Sequence, residues 1–236
     1  MSVTAAKIGT APKRSRRESG VSAVQQVYDA LRHDIIYFYR QPGSNISKNE
    51  IAAEFDVSPT PVREAMLRLS DEGLVNIYPQ SRTVVALIDI QHAQEIHFLR
   101  LSVEIEVVRV LADTIDAEGL AALNAWIERQ VTELATGDET AFKIADNSFH
   151  DEMFRLAGIQ GLTRLIDAQR GDYDRIRGLY LHEHERRQIV INEHRAIVSA
   201  LKAADADAAE IAVRRHLGKS LAIVDDIRER HPGYFP

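Results

Sequence analysis

The stretch FDVSPTPVREAMLRLSDEGLV, residues 55–75, places two prolines and an arginine at the mouth of an amphipathic run that closes on Gly73. Val62, Met66 and Leu69 recur at helical spacing and mark a stripe for burial. Either Pro59 or Pro61 is tolerated in a first turn, where the missing N–H has no intrahelical partner. Ser58, Thr60 and Arg63 fall on the other side of that turn, where free N–H groups and the positive helix end favour phosphate. The pattern predicts a helix with one face in a core and its mouth against a nucleic acid.

The flanks agree with that reading. Val24, Val27, Leu31, Ile35 and Phe38 recur at helical spacing between Val21 and about Tyr39, and Gln41-Pro42-Gly43 ends the helix in a turn. Ser47-Lys48-Asn49-Glu50 reads as a capping box opening a short helix from Asn49 to Phe55. Asp56-Val57-Ser58 is a tight connection into the Pro59 or Pro61 to Asp71 helix. LVNIYP and TVVALI then predict two short strands joined through Gln80-Ser81-Arg82. Helix, helix, turn, helix and hairpin is the order of a winged helix-turn-helix, which sets the start of its second motif helix against major-groove base edges.

After Asp89 strand signals fade. Long amphipathic helices are predicted near 91–115, 117–136, 139–157, 160–182, 184–203 and 205–229, which read as a compact bundle of six or seven helices. The fold class is therefore mainly α, with an N-terminal winged helix-turn-helix and a C-terminal all-α bundle. The expected organisation is a basic disordered tail over 1–20, a DNA-binding domain over 21–88 and a helical effector-binding and dimerisation domain over 89–230.

A chain of 236 residues suits two modest domains. It has no cysteine, which excludes disulfides, thiolate zinc sites and cysteine nucleophiles, so any metal here must use histidine and carboxylate. No apolar run approaches membrane-spanning length, and the first residues lack a signal-peptide core, so a cytoplasmic location is expected. Residues 1–88 hold 11 Lys+Arg against 9 Asp+Glu, whereas residues 89–236 hold 18 against 26. The change of sign fits a chain in which only the first half meets phosphate, and Lys13-Arg14-Ser15-Arg16-Arg17 sharpens it.

IAAEFDVSPTPVREAMLRLSDEGLV, residues 51–75, closely resembles the signature of GntR-type bacterial transcription regulators, LA-x4-VS-x-TPVREAL-x-RL-x3-GL. The helical remainder resembles the FCD effector domain of their FadR branch. Arg100 with Glu104, then DNSFH, then NEHRAIVSALKAADADAAEIAVRRHL carry that likeness in order. The resemblance implies a homodimeric regulator on double-stranded, pseudo-palindromic operator DNA, acting as a repressor released by a small organic acid. It implies operator contact by Arg63, with Thr60 beside it, and backbone contact by Arg32. Two departures bear on the operator. Pro59 stands where relatives often carry arginine, and the wing has Arg82 where a glycine is usual, so that an arginine side chain is offered to the minor groove.

In the second half Asp146 and His150 are one helical turn apart and share a face. His194 and His216 lie on later helices. Taken alone, Asp146 and His150 are better read as a surface cap or salt bridge, His194 as a satisfied core histidine and His216 as a helix-end surface residue. The resemblance implies that the four are ligands of a divalent metal ion, Zn, Ni or Mn, within an acid-binding pocket. It also implies that Arg100 reaches the effector's carboxylate, against the plainer reading of an i, i+4 pair with Glu104. Arg164 and Arg177 are candidates for further positive charge, and Ile159 replaces an asparagine common in relatives. His182 and His184 point to different faces and read as solvated, while His92 and His97 have no partner pattern. A metal-dependent hydrolytic enzyme on the bundle is the alternative. Four protein ligands leave it few open positions, no general base stands beside them, and no catalytic residue is assigned.

Overall fold

The computed structural model describes residues 20–236 apart from Glu183 and Ile223, so the tail expected over 1–20 lies, but for Gly20, outside the described residues. Two compact units result. One runs to Asp89 and takes in His231–Pro236, and the other spans Ile90–Arg230.

The first unit opens with α1, Ala23–Ile36, whose N-cap Ser22 accepts from the N–H of Gln25. Strand β1, Asn45–Ile46, leads to α2, Lys48–Phe55, where the Ser47 hydroxyl accepts from the N–H of Glu50 at 3.3 Å. Asp56 takes a left-handed conformation at the end of α2, and the chain turns directly into α3, Pro59–Asp71. Val62, Ala65, Met66 and Leu69 of α3 are fully buried against Val27, Leu31 and Ile35 of α1. Each large side chain so buried contributes about 1.5–3 kcal/mol, which fixes the face α3 turns inward. β2, Val75–Ile77, and β3, Thr83–Val85, form the expected hairpin, and β1 adds a third strand in the order β1-β3-β2. Two residues were too few for an alternation signal to show β1 in the sequence.

The last six residues belong to this unit. Ile88 N–H donates to the carbonyl of Tyr234 at 2.8 Å, the Tyr234 ring stacks on Phe38 at 5.5 Å, and Phe235 is buried.

The second unit is a bundle of α4 (Ile90–Thr114), α5 (Ala117–Thr136), α6 (Glu139–Leu156), α7 (Gln160–Asp167), α8 (Gly171–Tyr180), α9 (His184–Lys202), α10 (Ala206–Ala222) and α11 (Val224–Arg230). The span 160–182, expected as one helix, breaks after Asp167, while α10 and α11 flank Ile223 within the span expected as 205–229. The break after Asp167 has a packing cause. α7 buries Ile166 alone, whereas α8 is buried on almost every side, so the chain must turn inward between them. A helix buried all round normally reads as apolar. α8 instead carries Asp172, Asp174, Arg175 and Arg177 into the interior.

Candidate metal and effector site

Asp146 and His150 come from the inner face of α6, His194 from α9 and His216 from α10. All four are buried, and one ligand atom from each lies within 4.8 Å of the others. His216 Nε2 stands 3.1 Å from His150 Nε2 and 3.2 Å from His194 Nε2, while Asp146 Oδ1 is 3.7 Å from His194 Nε2.

The outer nitrogens set the chemistry of this meeting point. His150 Nδ1 faces Glu104 Oε2 at 2.8 Å, His194 Nδ1 faces Gln130 Oε1 at 3.0 Å, and His216 Nδ1 faces Glu193 Oε2 at 3.3 Å. Three acceptors hold a proton on each Nδ1, which leaves each Nε2 with its lone pair turned to the centre. Lone pairs about 3 Å apart repel unless a cation lies among them. Burial, reinforced by Arg100 and Arg177, holds His150 well below the usual imidazole value. Burial with His216 and His150 does the same for His194. Those two rings are therefore neutral, as ligation requires. The donor set fits a borderline divalent ion: three imidazoles and one carboxylate, with outer hydrogen bonds already in place.

Arg177, on α8, has Nη2 at 2.5 Å from Asp146 Oδ2 and 3.4 Å from His150 Nε2, and Nη1 donates to Asn147 Oδ1 at 3.3 Å. The Asp146 contact is an ion pair by distance but not an aligned hydrogen bond, since both carboxylate oxygens lack hydrogen-bond partners.

Arg100, on α4, is 2% exposed, and its Nε donates to Glu104 Oε1 at 2.5 Å. Burial opposes the charge on its guanidinium, but the Glu104 carboxylate prevails and raises its pKa. The i, i+4 pair with Glu104 is thus present. Nε serves the i, i+4 pair, while Nη1 and Nη2 are buried without an acceptor. Arg100, Glu104 and His150 line a small cleft, together with Asp151, Phe154, Thr163, Ile166, Asp167 and Arg170. Burial pushes the Asp151 carboxyl up to about 6, against the pull of Arg170.

Arg164 is exposed on α7 and does not line this cleft. Arg170 does, within ion-pair distance of Asp167 and Asp174 at 3.0 and 3.1 Å. Sequence reading assigned nothing to Arg170, Gln130 or Glu193. The position of Glu193 beside His194 was the one available hint for that pair, and Gln130 carried none. His182 and His184 are exposed, with His182 Nδ1 on Glu139 at 3.0 Å. His92 meets Asp172 and His97 meets the Leu217 carbonyl.

In the first unit Ser58, Thr60, Arg63 and Arg82 are exposed. The mouth of α3 is poorer in donors than expected, because Pro59 and Pro61 remove two of its first three backbone N–H groups and leave that of Thr60. The Ser58 hydroxyl makes no capping bond. Arg32 Nε is held by Glu72 at 3.1 Å, and the Tyr28 hydroxyl shares that carboxylate. At the wing tip Gln80 takes the left-handed conformation that glycine usually supplies, with φ of 56°, and the Arg82 guanidinium lies 5.5 Å over the Tyr78 ring.

Residues 23–85 match the family model for bacterial regulatory proteins, gntR family, and residues 95–219 match that for the FCD domain. An HTH-type transcriptional regulator from an unstable DNA locus of Streptomyces ambofaciens is 31% identical over 89% of each chain. The HTH-type transcriptional repressor RspR of Escherichia coli K12 is 29% identical over 89% of this chain and 92% of its own. A putative GntR regulator from Rhodococcus sp. RHA1 superposes with a TM-score of 0.75 at 23% identity, over 87% of this chain and 99% of that one. E. coli McbR/YncC superposes at 0.73 and 22% identity, over 88% and 99%. These two likenesses are of fold.

Proposed function

The chain belongs to the gntR family of bacterial regulatory proteins and carries an FCD domain, and on that premise we propose that it represses transcription until a small organic acid binds beside a metal ion in its helical unit. A DNA-binding transcription regulator, and not an enzyme, is what the family and its relatives are. The hydrolase alternative therefore falls away. What remains the finer reading is ligand, metal, direction of response and assembly.

One observation carries it. The three Nε2 lone pairs and the Asp146 carboxylate converge beside a cleft into which Arg100 brings two nitrogens without acceptors. Asp146, His150, His194 and His216 would hold the ion, which when bound supplies a Lewis-acid partner for an effector oxygen. Arg100 binds and orients a carboxylate through its guanidinium. Glu104 ties the two together, with one oxygen on Arg100 and the other on His150. RspR is described as a repressor, which favours release rather than recruitment by the ligand. Two copies acting as a homodimer would address two half-sites of the operator through α3, with Thr60, Arg63 and Arg82 on the DNA. Regulation then requires that the acid bind the DNA-free dimer more tightly than the DNA-bound one. Such a protein works in the cytoplasm.

The experiment is selection of genomic fragments by the metal-loaded full-length protein, followed by anisotropy titration of the best fragment with a panel of organic acids. A fragment preferred over scrambled duplex and released by one acid is expected. No preference among fragments defeats the regulator on DNA. Preference that no acid changes, with no acid altering thermal stability, defeats the effector.

A further inference from the structure

The metal-type cluster and Arg100 do not use all the positive charge inside the second unit, where Arg187 is buried and Lys143 half-buried. Arg187 precedes His194 on α9 by seven residues, and Lys143 precedes His150 on α6 by seven. Seven residues are two turns, so each cation lies on the same helix face as its histidine and about 10 Å along the axis from it. The two helices run in the same sense. Arg187 meets Glu139 at the start of α6, and further along the rings of His150 and His194 are 5.2 Å apart.

The Arg187 side chain is 7% exposed, and neither its Nε nor its Nη1 has a hydrogen-bond acceptor. The carboxylate it faces is that of Glu139, whose Oε1 stands 3.5 Å from Nη1, an ion-pair distance without a hydrogen bond. The other oxygen of Glu139 is taken up by His182 Nδ1 at 3.0 Å. Burial lowers the Lys143 ammonium to about 8, with Glu139 resisting and Arg187 adding to the fall. Lys143 has contacts of its own, so the unmet donors are those of Arg187. One partly exposed carboxylate thus stands among three basic side chains. Arg177 is committed elsewhere, to Asn147 and Asp146.

Buried guanidinium nitrogens are ordinarily satisfied, and an arginine left with two idle donors beside a desolvated lysine lacks an acceptor rather than a packing partner. We propose that Arg187 and Lys143 form a second anion site in this unit, which takes a carboxylate or phosphate oxyanion two helical turns from the His150–His194 pair. A guanidinium and an ammonium together suit such a group better than either alone, the first by direction and the second by charge. The oxyanion has two sources, a free inorganic anion or the far acidic group of a longer effector. The site goes beyond the regulatory reading and stands or falls without the operator or the metal.

Inorganic phosphate titrated into ¹⁵N-labelled full-length protein at constant ionic strength tests it. The Arg187 Nε–H resonance, assigned by its loss in R187Q, should shift saturably, and R100Q should leave that shift in place. K143Q should weaken the binding by about tenfold, the value of one charge-assisted hydrogen bond, while K143R keeps most of it. Circular dichroism of each variant identifies loss of fold, and K143R carries the comparison if K143Q unfolds. A series of straight-chain dicarboxylates and their monocarboxylate counterparts forms the second arm. Movement of Arg187 by a diacid but not by phosphate, weakened by R100Q, supports the site and assigns it to the distal group of an effector. An Arg187 resonance that neither phosphate nor any diacid moves overturns the proposal, and so does a phosphate shift of equal affinity in wild type and a folded K143Q.

Discussion

Glu104 Oε2 lies 2.8 Å from His150 Nδ1, and the second oxygen of the same carboxylate takes the Arg100 Nε–H at 2.5 Å. A single buried anion therefore orients both an imidazole of the metal-type cluster and the guanidinium of the cleft. Glu104→Gln keeps the shape and removes the charge. Outer partners of this kind typically change metal affinity by about 10- to 100-fold. The expected outcome is a loss of that size in chelator competition, with the variant still folded. Unchanged affinity would show that the Glu104 contact does not tune the ligand.

Metal removal should register in stability. An ion present at about 100 times its Kd stabilises the folded state by roughly 2.7 kcal/mol. For a chain of this size that is a shift of roughly 5–10 °C in Tm. Chelation of the purified wild type should lower the midpoint by that amount, and re-addition of zinc, nickel or manganese should restore it. His194→Ala should contain no stoichiometric metal by elemental analysis and show no chelator effect. A chelator response that persists in His194→Ala would place the ion elsewhere.

On the first unit, Arg63 is exposed at the mouth of α3, so Arg63→Ala leaves the core of that unit intact. If it reads a base, specific operator affinity should fall by about 1–3 kcal/mol while binding to random duplex holds. Equal loss on both substrates would assign it to phosphate. Arg32→Ala differs in kind, because it also leaves Glu72 with one partner fewer. Its effect should therefore divide between stability and DNA binding, and urea unfolding beside anisotropy separates the two.

The parts of the molecule legible in the sequence are those where short-range chemistry decides the outcome. α3 shows itself through two prolines, a three-residue apolar stripe and Gly73, all within one helix length. The i, i+4 pairs Asp146–His150 and Arg100–Glu104 are likewise local. His194 and His216, by contrast, join the first pair only through the packing of α9 on α5 and of α10 on α4 and α9, which no spacing reveals. The acceptors Gln130 and Glu193 are chosen by that packing as well. α8 misleads in the other direction, because its charges look like a solvated face and become interior ion pairs once α4, α10 and α11 pack against it. Arg164 and Arg170 differ by six residues and one helix break, and that break decides which of them lines the cleft.

The last six residues lay beyond any periodic signal, yet they complete the first unit. Phe235 is buried, Tyr234 stacks on Phe38, and the Tyr234 carbonyl accepts from Ile88 N–H at the end of the β3 segment. Phe38 holds a left-handed backbone conformation, with φ of 62°, that a residue other than glycine adopts at a cost. The stacked tyrosine helps to offset that cost. Phe235→Ala removes a buried aromatic ring and should destabilise the first unit by about 3 kcal/mol. Deletion of residues 231–236 should lose that amount and the Ile88 bond as well. Hydrogen exchange read separately over residues 23–88 and 90–230 checks this, with faster exchange confined to the first span. Exchange unchanged in that span would mean that the tail rests on a unit already complete without it.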